Sequence, residues 1–134
     1  MVEKIAWDEF FLVGVEEIDV QHKHMVELVN KAVIRANEYQ EREELAPLLE
    51  DLWFYAKWHF SCEESLMKIL GYPEADSHQK IHNELLDELD DKVEKVLEGY
   101  CDLQELRDFL FDWLGRHAHK EDRDLGAFVT VRWN

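Results

Sequence analysis

Apolar residues recur every three or four positions through most of this 134-residue chain, and only five glycines and two prolines interrupt them. That spacing builds helices with one oily stripe each, whereas half-buried strands would alternate at every second residue. Four stretches carry it. The first runs from Asp19, read as an N-cap, to about Tyr39, with Ile18, Met25, Val29, Ala32 and Ala36 facing inward. The second, 45–70, steps through Leu45, Leu49, Leu52, Ala56, His59, Glu63, Leu66 and Leu70 before Gly71, Tyr72 and Pro73 stop it. The third starts at an Asp76 or Ser77 cap and carries Ile81, Leu85, Leu89, Val93 and Val96 to a break at Gly99. The fourth holds Leu103, Leu106, Leu110, Trp113 and Leu114 and ends near Leu125. The spacing predicts an all-α fold, an antiparallel up-down-up-down four-helix bundle over residues 18–125. Residues 1–17, with Trp7, Phe10, Phe11, Val13 and Val15, are too apolar to lie in water and read as an ordered N-terminal arm along the bundle. The tail GAFVTVRWN, 126–134, alternates like a short extended segment. The length suits one domain, 1–134.

Charge narrows the function. Thirty-one acidic against 15 basic residues leave −16, which repels phosphate backbones and anionic lipid and excludes nucleic acid and membrane surfaces as partners. The start, MVEKIAWDEFF, lacks the unbroken apolar run of a secretory signal. No apolar stretch reaches the roughly 18 residues of a membrane span, so a cytoplasmic protein is expected. Cys62 and Cys101 form no Cys-x-x-Cys pair and read as reduced thiols.

The stripes also carry residues that do not belong in oil. His22 falls in register with Ile18 and Met25, His59 and Glu63 lie one turn apart on the second helix, His78 and His82 on the third, and His117 in step with Leu110 and Trp113 on the fourth. In an alternating bundle the starts of the first and third helices meet the ends of the second and fourth at one pole, so these residues share one layer. A single histidine on an apolar face is ordinarily a hydrogen-bonded core residue, and one His-x-x-x-Glu pair is only a neighbour pair. Five histidines and a carboxylate together would bury several polar groups, each costing about 1–3 kcal/mol if unpaired. A metal ion removes that cost, and imidazole and carboxylate donors suit iron, manganese or zinc. His24 and His119 sit two residues from stripe histidines and face outward. Cys62 also falls off its stripe, and Glu64 and the charges of the acidic run ELDDKVEK read as a solvated face.

The strings VGVEEIDVQH (13–22), HFSCEESLM (59–67), GYPEADSHQKIH (71–82) and DWLGRHAHKED (112–122), with Trp7 ahead of them, occur in an order that resembles the bacterial single-domain hemerythrins. The resemblance implies a non-haem, oxo- or hydroxo-bridged centre of two iron ions, with His78, His82 and His117 on one iron, His22 and His59 on the other, and Glu63 and Asp122 bridging. Two roughly octahedral ions filled in this way keep one open position, which implies reversible dioxygen binding. Trp113 and Leu114 match the family's pocket wall. Two points conflict with periodicity or pattern. A regular helix brings Glu121, four residues after His117, to the ligand face, while the resemblance selects Asp122, five residues on, turned away by about 140°. Ala118 stands where the family usually has a larger aliphatic residue, which is expected to loosen the pocket. The leading expectation is an oxygen carrier, store or supplier, not an enzyme, serving an oxygen-consuming protein. Oxygen or redox sensing, redox chemistry on peroxide, nitric oxide or iron, and a bundle with satisfied or zinc-bound histidines are the competing readings.

Overall fold

The computed structural model describes residues 3–38, 44–99 and 102–133, and all regular structure among them is helical. A 3-10 turn, Glu9–Phe11, lies in the arm. Helices α1 (Glu16–Glu38), α2 (Ala46–Leu70), α3 (Ala75–Glu98) and α4 (Leu103–His117) follow, then a π-helical turn, Ala118–Asp122, and α5 (Arg123–Trp133). Helix α1 packs on α2 and α4, and α3 packs on α2 and α4, which closes the expected four-helix bundle. No described helix is long and apolar enough to cross a membrane.

The helix ends follow local chemistry. Gly71 and Gly99 terminate α2 and α3 with φ of 68° and 89°, a left-handed conformation that costs other residues a Cβ clash. At the start of α4 the Asp102 carboxylate accepts a hydrogen bond from the Glu105 backbone N–H at 2.9 Å, satisfying one of the donors a helix start leaves open. Helix α3 starts at Ala75, one residue ahead of the expected caps, and the Ser77 hydroxyl bonds back to the Glu74 carbonyl. Asp19 is not an N-cap either. Helix α1 begins three residues earlier, and the Asp19 carboxylate instead accepts the Val13 N–H at 2.7 Å and the Gly14 N–H at 3.3 Å, which pins the arm.

The arm is ordered along the bundle, with Ile5, Phe11, Val13 and Val15 buried. Asn30 clamps it, its side-chain oxygen accepting the Ile5 N–H at 2.6 Å and its amide donating to the Ile5 carbonyl at 2.7 Å. The tail departs from expectation. Residues through Trp133 continue as α5, not as an extended segment, because Leu125 and Val129 lie one turn apart on the buried face against Val13, Ile18 and Met67. Tyr39 and Cys101 lie outside the described residues.

The core has two parts. A large cluster fills the bundle around Met25, Leu49, Leu52, Phe60, Leu89 and Leu110. A smaller one, Val13, Val15, Ile18, Met67, Leu125 and Val129, closes one pole. On α1 and α2, and along the rod formed by α4, the π turn and α5, the stripe polar residues sit between these two clusters, so both sides of their layer are dry.

Candidate metal centre

His22, His59, Glu63, His78, His82, His117 and Asp122 converge in one layer, each at most 5% exposed. They fall into two overlapping groups whose ligand-capable atoms lie within 4.8 Å of one another. One group is His78, His82, His117, Glu63 and Asp122, and the other is His22, His59, Glu63 and Asp122. The two carboxylates belong to both. Glu63 turns Oε1 to His82 Nε2 at 2.9 Å and His78 Nε2 at 3.4 Å, and Oε2 to His59 Nε2 at 3.3 Å. Asp122 turns Oδ1 to His117 Nε2 at 3.0 Å and His78 Nε2 at 3.1 Å, and Oδ2 to His22 Nε2 at 2.8 Å. Each carboxylate thus spans the two histidine sets, one oxygen apiece.

Every histidine in the layer aims Nε2 inward. The outer nitrogens are held from outside: His22 Nδ1 lies 3.0 Å from the Phe11 carbonyl, His59 Nδ1 2.5 Å from Gln21 Oε1, and His117 Nδ1 3.4 Å from Glu121 Oε1. A ring that donates outward through Nδ1 presents an Nε2 lone pair inward, which is how ligand imidazoles are oriented. Phe60 stacks flat on His82 at 4.0 Å and fixes the plane of that ring.

The layer fits a cation better than it fits itself. His59 Nε2 and both Glu63 oxygens are buried without a hydrogen-bond partner, despite the short approaches above, because the angles are wrong for proton sharing. His82 Nε2 and His117 Nε2 face each other at 3.1 Å. Donor atoms crowded about common points, buried and unsatisfied, are what a metal resolves.

Electrostatics in the metal-free layer partly compensate. Burial alone would depress the His78 and His117 imidazoles, but the Asp122 and Glu63 carboxylates outweigh it and raise them to about 9 and about 10. His22 is raised in the same way, mainly by Asp122 against the pull of burial. Burial, with His117 and His78 beside it, holds His82 down to about 4. Burial works against ionisation of Glu63 and Asp122 too, yet their histidine neighbours keep both below the ordinary carboxylate range.

The π turn decides between Glu121 and Asp122. Its i→i+5 pattern adds one residue to the turn, so the side chain five places after His117 comes round to the layer. Asp122 is fully buried there, whereas Glu121 stays partly exposed and touches the outer nitrogen of His117. Trp113 and Leu114 line a narrow crevice with Met25, Phe60 and Leu85 beside His22 and His59. The Trp113 indole N–H donates to the Leu85 carbonyl at 2.8 Å. Ala118 is fully buried in the π turn and does not line that crevice. His24 and His119 are exposed, as expected. The roles of Gln21, Phe60 and the Phe11 carbonyl were not anticipated; Gln21 is adjacent to a stripe histidine, the one sequence signal available for it.

The Hemerythrin HHE cation binding domain matches residues 13–129. The chain belongs to the hemerythrin family. Among similar hemerythrin-family proteins, Bacteriohemerythrin of Pseudomonas aeruginosa is 30% identical over 118 residues, covering 88% of this chain and 76% of that one. Bacteriohemerythrin of Clostridium acetobutylicum is 27% identical over 124 residues, covering 89% and 96%. A wild-type hemerythrin crystal structure superposes with a TM-score of 0.79 at 30% identity, covering 92% of this chain and 95% of that one.

Proposed function

We propose that this hemerythrin-family chain holds two iron ions and binds dioxygen reversibly, as a carrier, store or supplier and not as a catalyst. The observation that carries this reading is the division of labour between the carboxylates: Glu63 and Asp122 each face three-histidine and two-histidine sets with separate oxygens. In this reading His78, His82 and His117 would hold one ion and His22 and His59 the other, with Glu63 and Asp122 shared between them. Two ferrous ions so held would supply two electrons and, beside the two-histidine set, a binding position for a small diatomic ligand.

The chain's own residues account for reversibility. Outer hydrogen bonds from the ring Nδ1 atoms to Phe11, Gln21 and Glu121 keep three of the rings from swinging as charge at the centre changes. Trp113, Leu114, Met25 and Phe60 wall the crevice beside His22 and His59 and exclude water and its protons from that side. A cytoplasmic setting and an oxygen-consuming recipient protein complete the reading.

The test is to load metal-free protein anaerobically with ferrous iron, admit air and then sparge with argon while following charge-transfer absorption. Two irons per chain and bands that appear and vanish over repeated cycles are expected. Prompt, irreversible conversion to the ferric form would replace carriage with redox turnover, and a metal content other than two irons would remove the centre as proposed.

A further inference from the structure

A layer whose donors are all at most 5% exposed must still be reached by its metal. Besides the narrow crevice at Trp113 and Leu114, two clefts among the described residues touch it. One, of about 350 Å³, opens between α1 and α2 and is lined by Glu17, Gln21, Cys62 and Glu63 among apolar Val15, Ile18 and Leu66. The other, of about 190 Å³, opens between α3 and α4 and includes Glu84, Glu88, Arg116, His117 and Glu121.

We infer that the α1–α2 cleft is the port by which a ferrous ion enters, passing from Glu17 at the mouth, by Cys62 and Gln21, to Glu63; this rests on the reading that the centre holds iron. Glu63 is 1% exposed, and both its carboxylate oxygens lack a hydrogen-bond partner although imidazoles lie close, so an ion arriving there meets a buried carboxylate that already belongs to both ligand groups. No basic residue among the described ones lines the path, and its charged members are the carboxylates of Glu17 and Glu63, able to replace lost water of hydration. Glu17 is exposed at the start of α1, where the net −16 of the chain already concentrates cations. The α3–α4 cleft is also acidic, and its Arg116 is paired with Asp112, so charge does not separate the two. There the outer nitrogen of His117 is engaged by Glu121, and the unpartnered Glu121 Oε2 belongs to neither ligand group.

The experiment mixes metal-free protein anaerobically with ferrous iron in a stopped-flow instrument and records the uptake rate and the final iron per chain. Glu17→Gln, at an exposed position that does not endanger folding, is expected to slow uptake about two- to fivefold at low salt, with the difference fading at high salt. Cys62→Phe, which fills the cleft, is expected to slow it about tenfold or more, and both variants should reach the native iron content. Glu88→Gln in the other cleft should load at the native rate. Native uptake rates in the Glu17 and Cys62 variants, or equal slowing by Glu88→Gln, would overturn the port while leaving the centre intact. Failure of the unaltered protein to take up iron would instead remove the centre, and the port with it.

Discussion

An imidazole binds metal through one nitrogen and is aimed by the other, so the residues behind the histidines matter nearly as much as the histidines. His59 depends on Gln21, and His22 on a backbone carbonyl that no side-chain substitution deletes. Gln21→Leu is therefore expected to weaken iron binding about 10- to 100-fold, read as iron retained against a competing chelator, with the helical content unchanged. Native retention would show that His59 needs no support. Glu63→Ala removes an oxygen from both ligand groups, so iron content is expected to fall below two per chain, whereas His24→Ala, on the exposed face, should leave content and spectrum as they were. The same residues show what the sequence reveals. The stripe positions of the five histidines and Glu63 were legible because burial periodicity follows from helix geometry alone. Gln21 was not, because a half-buried polar residue beside a stripe looks like any surface residue until its neighbour on another helix is known.

At the scale of elements, the informative failure is the end of the fourth rod. Periodicity of 3.6 selects Glu121, and the rod escapes that rule by one extra residue in its turn. Because the departure spans only Ala118–Asp122 and the backbone remains right-handed helical on both sides, nothing in the apolar pattern marks it. The tail misled for a related reason: its alternation is short, and its buried Val129 follows Leu125 at helical spacing only once the rod is known to continue. Continuation also explains Gly126. A Cβ there would come within 2.2 Å of the Val13 carbonyl oxygen, a backbone atom that cannot rotate aside. Gly126→Ala is expected to destabilise the fold by about 1–3 kcal/mol, measured as a lower denaturant midpoint with an unchanged slope. An unchanged midpoint would mean that the arm moves away freely.

Across the whole molecule, the metal-free protein balances two buried carboxylates against raised imidazoles. His78 and His117, with pKa values of about 9 and about 10, contribute stability that is fully present below their ordinary value of about 6.5 and lost as pH rises through those raised values. Glu63 and Asp122, held low, contribute stability present above the ordinary carboxylate range and lost as pH falls through their depressed values. His82, held down to about 4, acts in the same sense as the carboxylates, because its folded form resists protonation. A ligand imidazole must be neutral, so iron loading at pH 7 is expected to expel at least about two protons per chain, from His78 and His117, with His22, also raised, adding to them. An indicator dye in weakly buffered solution measures this, and loading without proton release would contradict the charge assignment. The bundle itself was readable at this scale from four stripes and three short links. The arm was readable only as apolar mass, not as a participant.

That participation has a consequence for handling the protein. Because the carbonyl of Phe11 steadies His22 and Asn30 ties down Ile5, trimming the first dozen residues would leave four intact rods with a slack imidazole, and a shortened version would register its injury first as lost iron and only afterwards as lost helix.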